Sequence, residues 1–225
     1  MSTKYTLPSD LKKQGYTELM YCVLKNDLKA VKEIISKDTI NANNDIGETV
    51  LHIACIISSS NIKIVELLLK NGADPNAKTN FNERPLHYAS KTSTNTISIA
   101  IVEALLRSGA DPNAKSMDDW APLHTASSYS DDTRTVPIAI VKLLLRSGAD
   151  PNVKGQFDWT PLHCALGYVN RASTRSIETV KLLLRSGATP IDKETQILKL
   201  EIDIESLVEA NEKLRQKILL LEDED

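Results

Sequence analysis

TPLHCA, at residues 160–165, decides how this chain is read, because it has three relatives: TVLHIA at 49–54, RPLHYA at 84–89 and APLHTA at 121–126. The only histidines in the 225 residues are His52, His87, His124 and His163, and each occupies the same slot of its hexapeptide. Successive histidines are separated by 35, 37 and 39 residues. A second landmark is the glycine of KNGADPN, RSGADPN, RSGADPN and RSGATP: Gly72, Gly109, Gly148 and Gly187. Gly72, Gly109 and Gly148 each precede the next histidine by 15 residues, whereas the histidine-to-glycine spans grow through 20, 22, 24 and 24. The repeat is rigid on one side and elastic on the other.

Each histidine is followed by a short apolar segment with alanine, then a polar stretch, then IVELLLK, IVEALLR, IVKLLLR or TVKLLLR. Apolar residues recur there at helical spacing, with a cation in the last turn and glycine just beyond. The cation meets the negative end of the helix dipole and glycine accepts the left-handed cap. Each unit is therefore predicted as helix, loop, helix, then an extended turn rich in Asp, Pro and Asn. One such pair cannot bury its own apolar face, so the units must stack.

TPLHCA followed by VKLLLRSGA resembles the ankyrin repeat, whose pattern is T-P-L-H-x-A, two helices and a β-turn finger in about 33 residues. The resemblance covers roughly residues 15–190. It implies an all-α solenoid, with units at 15–44, 45–80, 81–117, 118–156 and 157–190. The extra residues fall in the loop between helices, in IISSSN, SKTSTNTIS, SSYSDDTRTVP and GYVNRASTRS. The motif threonine survives at Thr49 and Thr160, while Arg84 and Ala121 replace it. INAN at 40–43 aligns with PNAK, so TELMYCVLKN and DLKAVKEIISK form an amino-terminal cap without the motif, preceded by a short segment at 1–14. In the family, the histidine hydrogen-bonds backbone at the start of the first helix and ties adjacent turns together. His52, His87, His124 and His163 are accordingly structural, as are the four glycines. Metal ligands would instead converge on one point.

No metal, cofactor or catalytic site is expected. There is no phosphate-cradling glycine loop, G-x-S-x-G or H-E-x-x-H. A net charge of −3 gives no reason to expect nucleic acid. No uncharged run approaches the ~20 residues of a membrane span. The opening MSTKYTLPSDLKKQGYTELM has no apolar core of signal-peptide length. Cys22, Cys55 and Cys164, with no CxxC pair, suit a reducing compartment. A cytoplasmic location is expected, in the chain's own cell or in a host cell that it enters.

Phe81, Trp120, Phe157 and Trp159, all the Phe and Trp of the chain, lie in the fingers four or six positions before a histidine. Extended structure would put such positions on one face. The resemblance makes fingers and inner helices the usual partner surface. Phe81, Met117, Trp120, Phe157 and Trp159 are thus candidate contacts, extended by Tyr88, Thr125 and Cys164 just past the histidines. The competing reading packs each Trp on its neighbouring finger. Two cationic columns, Lys70, Arg107, Arg146 and Arg185 at helix ends and Lys78, Lys115 and Lys154 in the fingers, suit dipole complementarity and solvation.

After Gly187 the pattern changes. Thr189 and Pro190 suit an N-cap and first helical turn, with Asp192 completing a capping box. Ile197, Leu200, Ile204, Leu207, Asn211, Leu214, Ile218 and Leu221 then follow at spacings alternating 3 and 4. This is a heptad with Ile at a, Leu at d and one Asn at a, and it resembles a short leucine zipper that forms a parallel dimer. Lys217 at g can pair with Glu222 at e of the other chain. No basic region precedes it. Leu198, Ile202, Leu219 and Leu220 lie off the seam, so the alternative is a helix folded back to cap the last repeat. The expected function is a non-enzymatic adaptor that binds a protein and dimerises through residues 191–225. Its rivals are a host-directed effector that occludes an enzyme surface and a substrate receptor of a ubiquitin ligase.

Overall fold

The structure is a computed structural model that describes residues 6–57, 62–91, 96–128, 136–166 and 177–222. The lengthened interhelix stretches, at 58–61, 92–95, 129–135 and 167–176, lie outside those residues. Among the described residues the chain is all helical, with no strand.

After α1 (Ser9–Lys13) come α2 (Glu18–Leu24) and α3 (Leu28–Ile34). Both are N-capped by side chains: Thr17 Oγ1 accepts the Met20 N–H at 3.2 Å and Asp27 Oδ1 accepts the Ala30 N–H at 2.9 Å. Four further pairs follow: α4 (Val50–Ile56) with α5 (Ile62–Lys70), α6 (Pro85–Lys91) with α7 (Thr96–Arg107), α8 (Pro122–Ser128) with α9 (Val136–Arg146), and α10 (Pro161–Ala165) with α11 (Ile177–Arg185). The inner helices α2, α4, α6, α8 and α10 pack in sequence, and the outer helices α3, α5, α7, α9 and α11 pack behind them. A last helix, α12 (Lys193–Glu222), leans on α11.

The core repeats as the sequence does. The leucine preceding each histidine, Leu51, Leu86, Leu123 and Leu162, is buried, and so are Leu68, Leu105, Leu144 and Leu183 of the outer helices. At the ends of α5, α7, α9 and α11 the glycine takes a left-handed φ, 94° at Gly72 for example, with nothing near its absent Cβ. The glycine therefore serves backbone conformation rather than close packing. The chain then reverses into the finger, as when the Ala73 N–H reaches back to the Leu68 carbonyl at 3.0 Å.

One helix boundary differs from the sequence reading. Thr189 is not the N-cap of α12, and Pro190 is not its first residue. Asp192 is the N-cap: its Oδ1 accepts the Thr195 N–H at 2.8 Å, while Thr195 Oγ1 accepts the N–H groups of Ile191 and Asp192, each at 3.1 Å. Thr189 instead occupies the place of the finger aspartates. Its N–H is held by Asn152 Oδ1 at 2.8 Å, as Asn113 Oδ1 holds that of Asp150. The repeat geometry persists one turn further than the changed sequence suggested.

Candidate partner-binding surface

Fingers are positioned by two sets of side chains that reach from one unit to the backbone of the next. Backbone N–H groups of Thr49, Arg84, Ala121 and Thr160 donate to Nδ1 of His52, His87, His124 and His163 at 3.1, 3.1, 3.1 and 3.0 Å. A backbone N–H can only donate, so Nδ1 is unprotonated and Nε2 carries the hydrogen. Nε2–H then donates to a carbonyl of the following finger: Glu83 from His52 at 3.2 Å, Trp120 from His87 at 2.9 Å and Trp159 from His124 at 2.9 Å. Replacing the motif threonine by Arg84 or Ala121 leaves the backbone half of this clamp intact. Only the hydroxyl contact, 2.9 Å at Thr49 and 2.8 Å at Thr160, is confined to the threonine units.

Burial lowers the pKa of all four imidazoles, and the accepting carbonyls only partly offset this at His52, His87 and His124. The neutral ring is the form the clamp requires. Each ring belongs to its own unit, and among the described residues no three His, Cys, Asp or Glu side chains gather where they could hold a metal ion.

The second set was not anticipated. Asn41, Asn76, Asn113 and Asn152 donate through Nδ2 to the carbonyls of Gly72, Gly109, Gly148 and Gly187 at 3.0, 2.8, 2.9 and 2.9 Å. Their Oδ1 atoms accept the N–H groups of Asp74, Asp111, Asp150 and Thr189 at 2.8–2.9 Å. The signal was present, since each asparagine stands 11 residues before a histidine.

Held this way, the finger tips bond one to the next: Asn80 N–H to the Ile46 carbonyl at 3.0 Å, Met117 to Phe81 at 2.8 Å and Gln156 to Asp118 at 3.1 Å. Large apolar side chains stand out along this row. Ile46 is 45% exposed, Phe81 53%, Met117 62% and Phe157 77%. Phe157 carries its ring at φ 59°, a left-handed conformation that is costly for a bulky residue. Ile46 carries no ring, so an aromatic pattern passes over it. It lies six residues before His52, the same offset that Phe81 and Phe157 have from their histidines.

The other candidates are placed differently. Trp120 and Trp159 are half-buried, and their carbonyls serve the histidine clamps. Trp120 lies 5.5 Å from the His124 ring and against Gly155 of the next finger, where a Cβ would meet Trp120 Cδ1 at 3.2 Å. Trp159 faces Phe157 with centroids 6.2 Å apart. Tyr88 is buried, edge-on to His52 of the preceding unit at 5.1 Å. Burial, followed by the charges of Glu48 and Glu83, pushes its hydroxyl pKa up. Thr125 and Cys164 are buried as well, and burial lifts the Cys164 thiol to about 11. The finger lysines do not present a bare cationic column: Lys115 faces Asp119 at 3.9 Å and Lys154 faces Asp158 at 3.2 Å.

The family model for ankyrin repeats (3 copies) matches residues 19–116 and again 86–195. The chain belongs to the ankyrin-repeat family. Over 89 residues, 34% of the chain, it is 37% identical to the ankyrin repeat protein L289 of Acanthamoeba polyphaga mimivirus, and the match covers 16% of that protein. Over 82 residues, 36% of the chain, it is 35% identical to the regulatory protein SWI6 of Kluyveromyces lactis, covering 10% of it. The chain thus spans a small fraction of the length of either relative. Ankyrin repeats are a protein-interaction module, and the finger row described above presents four of the exposed large apolar side chains of this ankyrin stack, Leu24, Ile56 and Ile177 of the helices being exposed as well.

The tail beyond the ankyrin units carries the remaining candidates. Among its seam residues Ile197, Leu200, Ile204, Leu207 and Leu214 are 57–66% exposed, and Asn211 is exposed with them. The helix continues through Ile218 and Leu221, but their side chains, with Lys217, Leu219, Leu220 and Glu222, lie outside the described residues. No helix among the described residues is long and apolar enough to cross a membrane.

Proposed function

We propose that the chain is a non-enzymatic adaptor that binds a protein partner along its finger tips and self-associates through α12 as a parallel homodimer. The observation that carries the binding reading is the unbroken row of Ile46, Phe81, Met117 and Phe157, one exposed apolar side chain per finger. Side chains of this kind, fixed on a rigid backbone, supply most of the energy of protein interfaces, often about 2 kcal/mol or more each. Trp120 and Trp159 line the base of the same fingers and add contact area rather than projecting anchors. Free, buried Cys22, Cys55 and Cys164 support a reducing, cytoplasmic setting.

The test is crosslinking with mass spectrometry on the full chain in its native extract, comparing wild type with Phe81→Ala/Met117→Ala/Phe157→Ala. Partners crosslinked to the finger row should be lost from the triple variant while its circular dichroism and melting are unchanged. An unchanged partner set on a folded variant removes the finger surface from consideration. For self-association, light scattering on the full chain should give twice the monomer mass.

A further inference from the structure

We infer that α12 is shared between two roles on opposite faces: its outer positions cap the repeat stack of its own chain, while its a and d positions pair with the same helix of a second copy. Two stacks are then held rigidly on the two outer sides of one coiled coil. This rests on the self-association proposed above and says how it is built.

The division follows from register and burial together. With Ile197 at a, Thr195 and Ile202 fall at f, the position opposite the seam, and Leu198 falls beside it at b. Thr195 is 2% exposed, Ile202 4%, and Leu198 packs half-buried against the core. Glu205, also at b, reaches Arg185 of α11 at 3.5 Å. The residues that touch the stack are therefore outer-face residues. Those at a and d point away from it, with Leu200 at 62% and Leu207 at 66% exposed. Capping and pairing do not compete for the same atoms.

A second copy suits the free face best. β-Branched a residues with leucine at d favour two strands, and a lone Asn at a sets parallel, in-register pairing. In that register the g and e′ neighbours are Gln196 with Glu201, Asp203 with Val208, Ala210 with Arg215 and Lys217 with Glu222, which include no like-charge pair. From Asp203 to Leu214 every residue is exposed in the single chain, and a stretch of that length is marginal as an isolated helix in water.

The experiment uses the full chain with Ser147→Cys, an exposed site on the stack, carrying a spin label, since the three native cysteines are buried. A dimer mass by light scattering together with one narrow inter-label distance supports the inference. Adding Leu207→Lys should halve the mass and leave the melting of the repeats in place. Ile202→Ala should keep the mass but broaden the distance distribution and lower the melting temperature. A dimer whose label distances are already broad overturns the shared-face arrangement and leaves self-association standing. A full chain that stays monomeric at every concentration overturns both, and a Leu207→Lys variant that remains dimeric overturns the seam.

Discussion

The repeat stack and the C-terminal helix meet the same need, hiding an apolar helix face from water, by different means. Inside the stack the helices of the middle units, α4 to α9, have a neighbour before and behind, and the apolar contacts are nearly interchangeable from unit to unit. Position is set there by polar side chains that grip the next unit's backbone, His87 on Trp120 and Asn113 on Gly148 among them. The tail packs on α11, and past Ser206 its register rests on the spacing of apolar residues and on Asn211. Specificity is polar and local in one region, apolar and periodic in the other.

Substitutions can break or sharpen this contrast. Leu123→Ala empties a fully buried site where α8 meets its neighbours and should cost about 2–5 kcal/mol, read as a lower urea midpoint. His87→Ala strands the Arg84 N–H and the Trp120 carbonyl and should cost about 2–3 kcal/mol.

Acid should act through the same clamps. The folded imidazole pKa values are lowered, so below about pH 6.5 the unfolded chain binds protons that the folded chain refuses. Stability from this source is complete above that pH and is lost as pH falls towards the depressed folded values. Melting temperature should therefore decline from pH 7.5 to pH 5, and His87→Ala should make the decline shallower. A flat profile would show that the rings take up protons in the stack as readily as in the unfolded chain, contrary to the clamp geometry.

Asn113→Ala removes an exposed clamp and should cost about 1 kcal/mol in the same urea titration. Leu207→Ala should shift unfolding of the repeats by less than about 0.5 kcal/mol, since its side chain faces away from the stack. A large effect there would mean that the two regions are not separable.

The stack was legible in the sequence because its period is carried by residues with one physical job each: glycine for the left-handed turn, histidine for the clamp, leucine for the core. The finger surface was only half legible. Positions four and six before the histidine were read as one face because extended chain alternates. The fingers are not extended: Asn82, Asp119, Phe157 and Asp158 all take left-handed φ angles of 56–60°. That twist separates projecting Phe81 and Phe157 from half-buried Trp120 and Trp159. The burial of Tyr88 was not legible, since its ring leans back onto His52 of the preceding unit, a contact no single hexapeptide reveals. In the tail the heptad was plain, but two readings looked exclusive because burial on the opposite face is a property of the folded chain.

The clamps all point one way. Asn41, Asn76, Asn113 and Asn152 and the imidazoles of His52, His87 and His124 reach forward, so a unit is placed by its predecessor and in turn places its successor. Such an array has a start, an end and no preferred length. A duplicate of residues 118–156 spliced after Gln156 would bring its own donors and find acceptors waiting, which is a route by which a chain of this design can grow to suit a longer partner without rebuilding either terminus.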